Sequence, residues 1–103
     1  MTNPVNGMRP IHPGKVLRED YLKPLGMSAH ALSIALHVPP SRINDIVLER
    51  RGVTVDTAMR LVHYFGGDVK SWLSLQMAYD IKKAETTRKK EIENEVAPQS
   101  VAA

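Results

Sequence analysis

The sequence predicts an all-α fold: five helices bundled around a helix-turn-helix, the last of them extended at its C-terminal end. Three observations predict it. Apolar residues recur at three- and four-residue intervals in successive segments from Val16 to Ala84. Residues 28–48 read SAHALSIAL, HVP, PSRINDIVL, two short amphipathic pieces joined by a turn too brief to let them run antiparallel. Helices this short are not stable alone, and the segment before them supplies the element that covers their backs.

The 103 residues suffice for one domain with tails and one modest core. The absence of cysteine removes disulfide frameworks and thiolate metal sites, as a reducing cytosol permits. No stretch approaches the roughly 18 apolar residues of a membrane span, and the N-terminus lacks the apolar run of a signal peptide. The expected location is therefore the cytoplasm, with no membrane partner. The net charge is +3, and residues 1–51 hold seven Lys or Arg against four Asp or Glu, whereas residues 85–103 hold three against four. The basic half thus carries the helix-turn-helix, which favours a polyanionic partner.

Residues 1–7 contain Pro4, Asn6 and Gly7 without periodicity and are expected to be flexible, with Met8 an alternative start. The segment PGKVLREDYLK predicts the first helix, with Val16, Leu17 and Tyr21 on one side and Pro24 stopping it at about Lys23. Leu25 and Met27 should seal the corner that follows. In the helix-turn-helix, Ala31, Leu32, Ala35 and Leu36 form the inner face of the first piece, and Ile43, Ile46 and Val47 that of the second. Val38 should plug the space between them, and Pro40 suits the first helical position, where its missing N–H costs nothing.

The outer face of the second piece carries Ser41, Arg42, Asn44 and Asp45, the hydrogen-bonding side chains a major-groove reader needs at the front of its recognition helix. Asp45 is expected to pair with Arg42 three residues before it. The turn Glu49, Arg50, Arg51, Gly52 places two guanidinium groups where a phosphate backbone would pass; a solubilising loop is the alternative reading.

Thr54 should cap a fourth helix, with Asp56 in its first turn, Ala58, Leu61, Val62 and Phe65 inward, and Gly66 as the stop. Asp68 should cap a fifth with two apolar stripes, one of Trp72, Leu75 and Tyr79, the other of Leu73, Met77, Ile81 and Ala84. A four-helix core needs one stripe. The second either wraps the domain or, more economically, makes a homodimer interface. The domain proper is read as residues 8–84, followed at 85–103 by a charged, fraying helix extension and a disordered tail.

Catalytic chemistry is missing. His12, His30, His37 and His63 fall in different segments without ligand spacing, so no metal and no cofactor is expected. There is no Gly-rich phosphate loop and no GxSxG. The protein is read as a binder, not an enzyme.

Three blocks in order carry a resemblance: MRPIHPGKVLREDYLKPLGMS; ALHVPPSRINDIV with TVDTAMRLVHYFG; and WLSLQMAYD, similar to a WLNLQ signature. Over about residues 8–85 the chain resembles the HigA family of antitoxins, helix-turn-helix proteins of the phage-repressor type. That resemblance implies a homodimer that represses its own operon on double-stranded operator DNA. It also implies neutralisation of a HigB-type toxin, a ribosome-dependent mRNA endonuclease of the RelE fold. DNA contacts carried over from such repressors fall on Pro40, Ser41, Arg42, Asn44, Asp45, Arg50 and Arg51. Two positions depart from the pattern. His37 stands where many have a turn glycine, so it must take a left-handed backbone. Ala29 stands where phage repressors often place a phosphate-holding Gln, leaving Ser28 or His30 to substitute.

The alternative is a stand-alone transcriptional regulator of the same fold. A protein-binding module that has merely kept the fold is disfavoured by Arg42, Asn44, Arg50 and Arg51. Since almost all apolar residues belong to the bundle, toxin binding is expected on a preformed surface, the first helix and N-terminal segment, away from Arg42.

Overall fold

The computed structural model describes residues 9–100. The flexible segment expected at 1–7, the alternative start at Met8 and the last three residues of the expected tail lie outside the described residues. Those described form six helices and no strand.

Helix α1 spans residues 13–25 in three registers: α-helical at Pro13–Val16, π-helical at Leu17–Leu22 and α-helical again at Lys23–Leu25. His12 caps it, its Nδ1 accepting from the Gly14 N–H at 2.8 Å, and Pro13 takes the first position. The expected stop at Lys23 is corrected, because the helix runs through Pro24 and ends at Gly26 with φ 60°. A proline inside an α-helix lacks one N–H and its ring crowds the carbonyl four residues back. Here the ladder has already shifted to five-residue bonds over Leu17–Leu22, the last of them Lys23 N–H to the Arg18 carbonyl, and the wider turn admits the ring, while Met27 N–H closes the helix end on the Leu22 carbonyl. The corner is sealed by Leu22 and Met27, while Leu25 points out and is 61% exposed.

Helix α2 is Ala29–Leu36 and helix α3 is Pro40–Val47. The inner face of α2 is Ala29, Leu32, Ser33 and Leu36, with Ala31 exposed, so the helix is rotated from the expected stripe. Alanine carries too little apolar area to set a face, and the buried Ser33 hydroxyl is satisfied by donating to the His30 carbonyl at 2.6 Å. Val38 and the α3 residues Ile43, Ile46 and Val47 are buried as expected, and Pro40 opens α3.

Helix α4, Val55–Phe65, is capped by Thr54 and ended by Gly66; Ala58 and Leu61 are buried, as is Thr57. Helix α5, Val69–Thr87, is capped by Asp68, whose carboxylate accepts from the Ser71 N–H at 2.9 Å. A break at Arg88 separates it from helix α6, Lys89–Glu95, so the charged run stays helical where fraying was expected.

One core joins α1 to α5. Leu17, Leu32, Ile43, Ile46 and Leu61 are fully buried, and Trp72 of α5 closes the side where the Tyr21 ring lies 5.4 Å from it and 4.9 Å from Phe65. Leu73, Leu75 and Tyr79 sit against the domain, Tyr79 edge-on to the His12 ring at 4.7 Å. Leu73, assigned by the sequence to the outer stripe, packs partly on this core, whereas Met77, Ile81 and Ala84 face out.

Candidate nucleic-acid interface

The recognition helix α3 begins and ends in the same device. At the end of α2, His37 takes φ 58°, its N–H bonding the Ile34 carbonyl while Val38 N–H bonds that of Ser33. At the end of α3, Glu49 takes φ 62°, its N–H bonding the Ile46 carbonyl while Arg50 N–H bonds that of Asp45. Both are Schellman closures with a non-glycine residue in the left-handed position. The first sets the steep crossing of α2 and α3. The second folds Arg50 and Arg51 back over Asp45.

The front of α3 is open. Ser41 and Asn44 are exposed and, with Pro40 and His30 of α2, line a shallow cleft of about 240 Å³. Ser28 caps α2, its Oγ accepting from Ala31 N–H at 3.0 Å, which leaves its hydroxyl proton to donate outward. Of the two residues expected to substitute beside Ala29, His30 lies beside the front of α3, while Ser28 caps the N-terminus of α2.

The charged residues are arranged differently from the expectation. Asp45 does not pair with Arg42; its two oxygens accept from Arg50 at 3.1 Å and Arg51 at 3.4 Å. Arg42 instead donates to Asp56 of α4 at 2.7 Å, and the same oxygen accepts from Arg60 at 2.9 Å. Tertiary packing explains the swap, since the N-terminus of α4 arrives beside Arg42 while the Glu49 turn brings its own arginines to Asp45. The Arg60 and Arg42 guanidinium groups, in that order, hold the Asp56 carboxyl below the usual carboxylate range. Arg60 also donates to the Leu36 carbonyl at 2.8 Å, which ties α4 to the turn of the helix pair.

Sequence reading missed the groups that seat α3. Gly14 lies so close to it that an added Cβ would stand 1.8 Å from the Ile46 carbonyl oxygen. Arg18 of α1 donates to the Val47 carbonyl and reaches Glu49 at 3.4 Å. Gln76 of α5 accepts from the buried Val53 N–H at 2.8 Å and donates to Asp80 at 2.9 Å, which fixes the strand of chain after the arginine turn. The Asp56–Arg60 spacing of four was a legible signal. A glycine in the first turn of a helix was another.

The surroundings of His12 matter for the same seat. Its imidazole is 3% exposed, and burial pushes its pKa down from 6.5 against the opposing pull of Glu49 and Asp80, with Lys83 adding to the decrease. Among the described residues no group of His, Asp and Glu is placed to hold a metal ion, and no helix is long and apolar enough to cross a membrane.

No protein-family profile matches the chain. Among solved structures, the Pseudomonas aeruginosa antitoxin HigA with the higBA promoter is 42% identical, with a TM-score of 0.82 over 88% of this chain and 99% of that one. This chain belongs to the HigA antitoxin family. Antitoxin GraA in complex with its operator is also 42% identical, with a TM-score of 0.82 over 98% of this chain and 99% of that one. Virulence-associated protein I of Dichelobacter nodosus is 69% identical over 80 residues, 78% of this chain and 74% of the relative. The chain shares its helix-turn-helix fold with the two solved HigA-family antitoxins, so the α2–α3 pair is the part to compare with a DNA surface.

Proposed function

We propose that this HigA-type antitoxin represses its own operon by setting the front of α3 in the major groove of operator DNA, and that it neutralises a HigB/RelE-like mRNA endonuclease. The observation that carries the DNA reading is the exposed cleft of His30, Pro40, Ser41 and Asn44 at the front of a helix whose inner face is buried. Ser41 and Asn44 offer groups that match base edges, Asn44 suiting adenine, while Ser28, Arg50 and Arg51 suit phosphate oxygens. Solved relatives of the same fold, HigA with the higBA promoter and GraA in complex with its operator, support the reading that this fold binds operator DNA. The toxin partner follows from family membership. A homodimer through Met77, Ile81 and Ala84, with Leu73 at its inner edge, would place two recognition helices on two half-sites; Met77 and Ile81 are 59% and 51% exposed without a partner in the domain.

The test is a promoter duplex from upstream of the protein's own gene against a scrambled duplex. Asn44→Ala should lose about 1–3 kcal/mol on the promoter and little on the scrambled duplex. Met77→Glu with Ile81→Glu should give a folded monomer by light scattering with weakened promoter binding. Co-expression with the product of a HigB-type toxin gene encoded beside its own should restore growth. If the wild type neither prefers the promoter nor protects cells from that product, the assignment falls.

A further inference from the structure

Arg42 stands at the third position of the recognition helix, where a free guanidinium would reach any nearby phosphate. It is not free. One oxygen of Asp56 accepts from it at 2.7 Å and from Arg60 at 2.9 Å, and Arg60 in turn donates to the Leu36 carbonyl at 2.8 Å. The linkage therefore runs from the main chain of the turn, through α4, to the front of α3. Arg42 is the more buried member of its pair, its side chain 30% exposed against 57% for Asp56.

We infer that Asp56 is a positioning residue for DNA discrimination, holding the Arg42 guanidinium against α4 so that Ser41 and Asn44 meet the bases without an indiscriminate cation beside them. This rests on the operator-binding reading above. Two features single Asp56 out. It is the shared partner of Arg42 and Arg60, and the second anchor of Arg60 is backbone, so the carboxylate cannot follow Arg42 toward DNA without breaking a bond to the turn. For the arginines on Asp45 no side-chain bond to backbone is seen among the described residues, and Arg50 and Arg51 are 62% and 46% exposed. Each carboxylate serves two guanidinium groups, so the difference is one of placement: Arg42 is held across to α4 and is the less exposed, at 30%, whereas Arg50 and Arg51 stay at the surface of the turn, open to phosphate.

The experiment measures binding of the full chain to the promoter duplex and to a scrambled duplex between 50 and 200 mM salt, for wild type, Asp56→Asn, Arg42→Ala and the double variant. Released from Asp56, Arg42 should take up a phosphate. The salt slope of Asp56→Asn should steepen by about 0.9, an extra loss of roughly three- to fourfold across that range. Its affinity for the scrambled duplex should rise, and its promoter preference should fall. In the Arg42→Ala background the same Asp56 change should alter neither slope nor preference, a result that a merely structural role, or simple removal of a negative charge, would not give. Equal binding of wild type to both duplexes sinks the operator reading and this inference together. A selective wild type whose Asp56→Asn variant keeps its slope and preference, or changes them equally without Arg42, sinks only this one.

Discussion

The two ends of the recognition helix are held by different physics. The C-terminal end is seated by backbone: Gly14 packed on the Ile46 carbonyl, Arg18 on that of Val47, the Glu49 closure, and Gln76 on the Val53 N–H beyond it. At the N-terminal end the side chains that reach out are held by charge, Arg42 and Arg60 on Asp56. Close packing and buried hydrogen bonds are barely weakened by salt, whereas exposed ion pairs are screened by it and compete with phosphate. The back of α3 therefore sets where the helix lies, and on the proposed reading the front sets what it prefers. Changes at the back should cost stability; changes at the front should cost discrimination.

The sharpest break of that contrast is Gly14→Ala. Its Cβ would stand 1.8 Å from a carbonyl oxygen that cannot rotate away, so α1 and α3 must part. Overpacking against backbone lies at the upper end of its range, and a loss of about 3 kcal/mol or more in urea denaturation is expected. A variant as stable as wild type would mean that α1 slides freely over α3.

Gln76→Ala comes next. The Val53 N–H is buried and its acceptor is this side chain, so truncation leaves a donor unsatisfied, at a cost of about 1–3 kcal/mol in the same measurement. The loop that carries Arg50 and Arg51 should loosen with it, visible as faster amide exchange at Val53. Unchanged exchange there would remove Gln76 from the seat.

How legible this was depended on whether a feature was local. Caps at Thr54 and Asp68, the stop at Gly66 and the inward Val38 follow from neighbours in sequence, and the left-handed His37 follows from the family resemblance; the structure has all of them. The exposed front of α3 was legible for the same reason: Ile43, Ile46 and Val47 fix one face, so Ser41 and Asn44 must lie on another. The partners of the charged residues were not legible. Arg42 and Asp45 are three apart on one helix, yet Arg42 finds a carboxylate that tertiary packing brings from α4, and Asp45 finds guanidinium groups that the left-handed turn at Glu49 folds back. The passage through Pro24 was hidden because a π turn has no strong sequence mark, and the rotation of α2 because alanines hardly distinguish inside from outside. The WLSLQ block was recognised as a signature, but its Gln had no visible task until the Val53 N–H lay beside it.

A smaller effect should appear on acidification, and at the back end. His12 accepts from Gly14 N–H through Nδ1, so the folded state wants the ring neutral, and burial lowers its pKa accordingly. The unfolded chain then binds the proton more readily. The stabilisation is fully present above the unfolded value near 6.5 and is lost as pH falls through the lower folded one. Burial is the main cause of the decrease, Glu49 and Asp80 oppose it and Lys83 adds to it, so the window opens at about 6.5 and extends downward to the folded value. His12→Asn keeps a capping oxygen but no titration in this range, and its stability between pH 5 and 7 should be flatter than that of wild type. Parallel curves would place the acid sensitivity elsewhere.

The smallest change in the folded protein is expected at the arginine turn. Arg51 is exposed and shares Asp45 with Arg50 at 3.4 Å against 3.1 Å, so removing it leaves the carboxylate paired and the core untouched. Exposed pairs of this kind contribute little to folding. Arg51→Ala should therefore melt with the wild type. On DNA the loss should be uniform: weaker binding to promoter and scrambled duplexes alike, with a salt slope about one unit shallower, because one phosphate contact and its released counterion are gone. This is the opposite sign to the Asp56→Asn slope, although both variants remove one charge from an arginine–carboxylate cluster. If Arg51→Ala instead lowered promoter preference while leaving the slope intact, Arg51 would be reading sequence, and the division between a seated back and a discriminating front would have to be redrawn around the Glu49 turn.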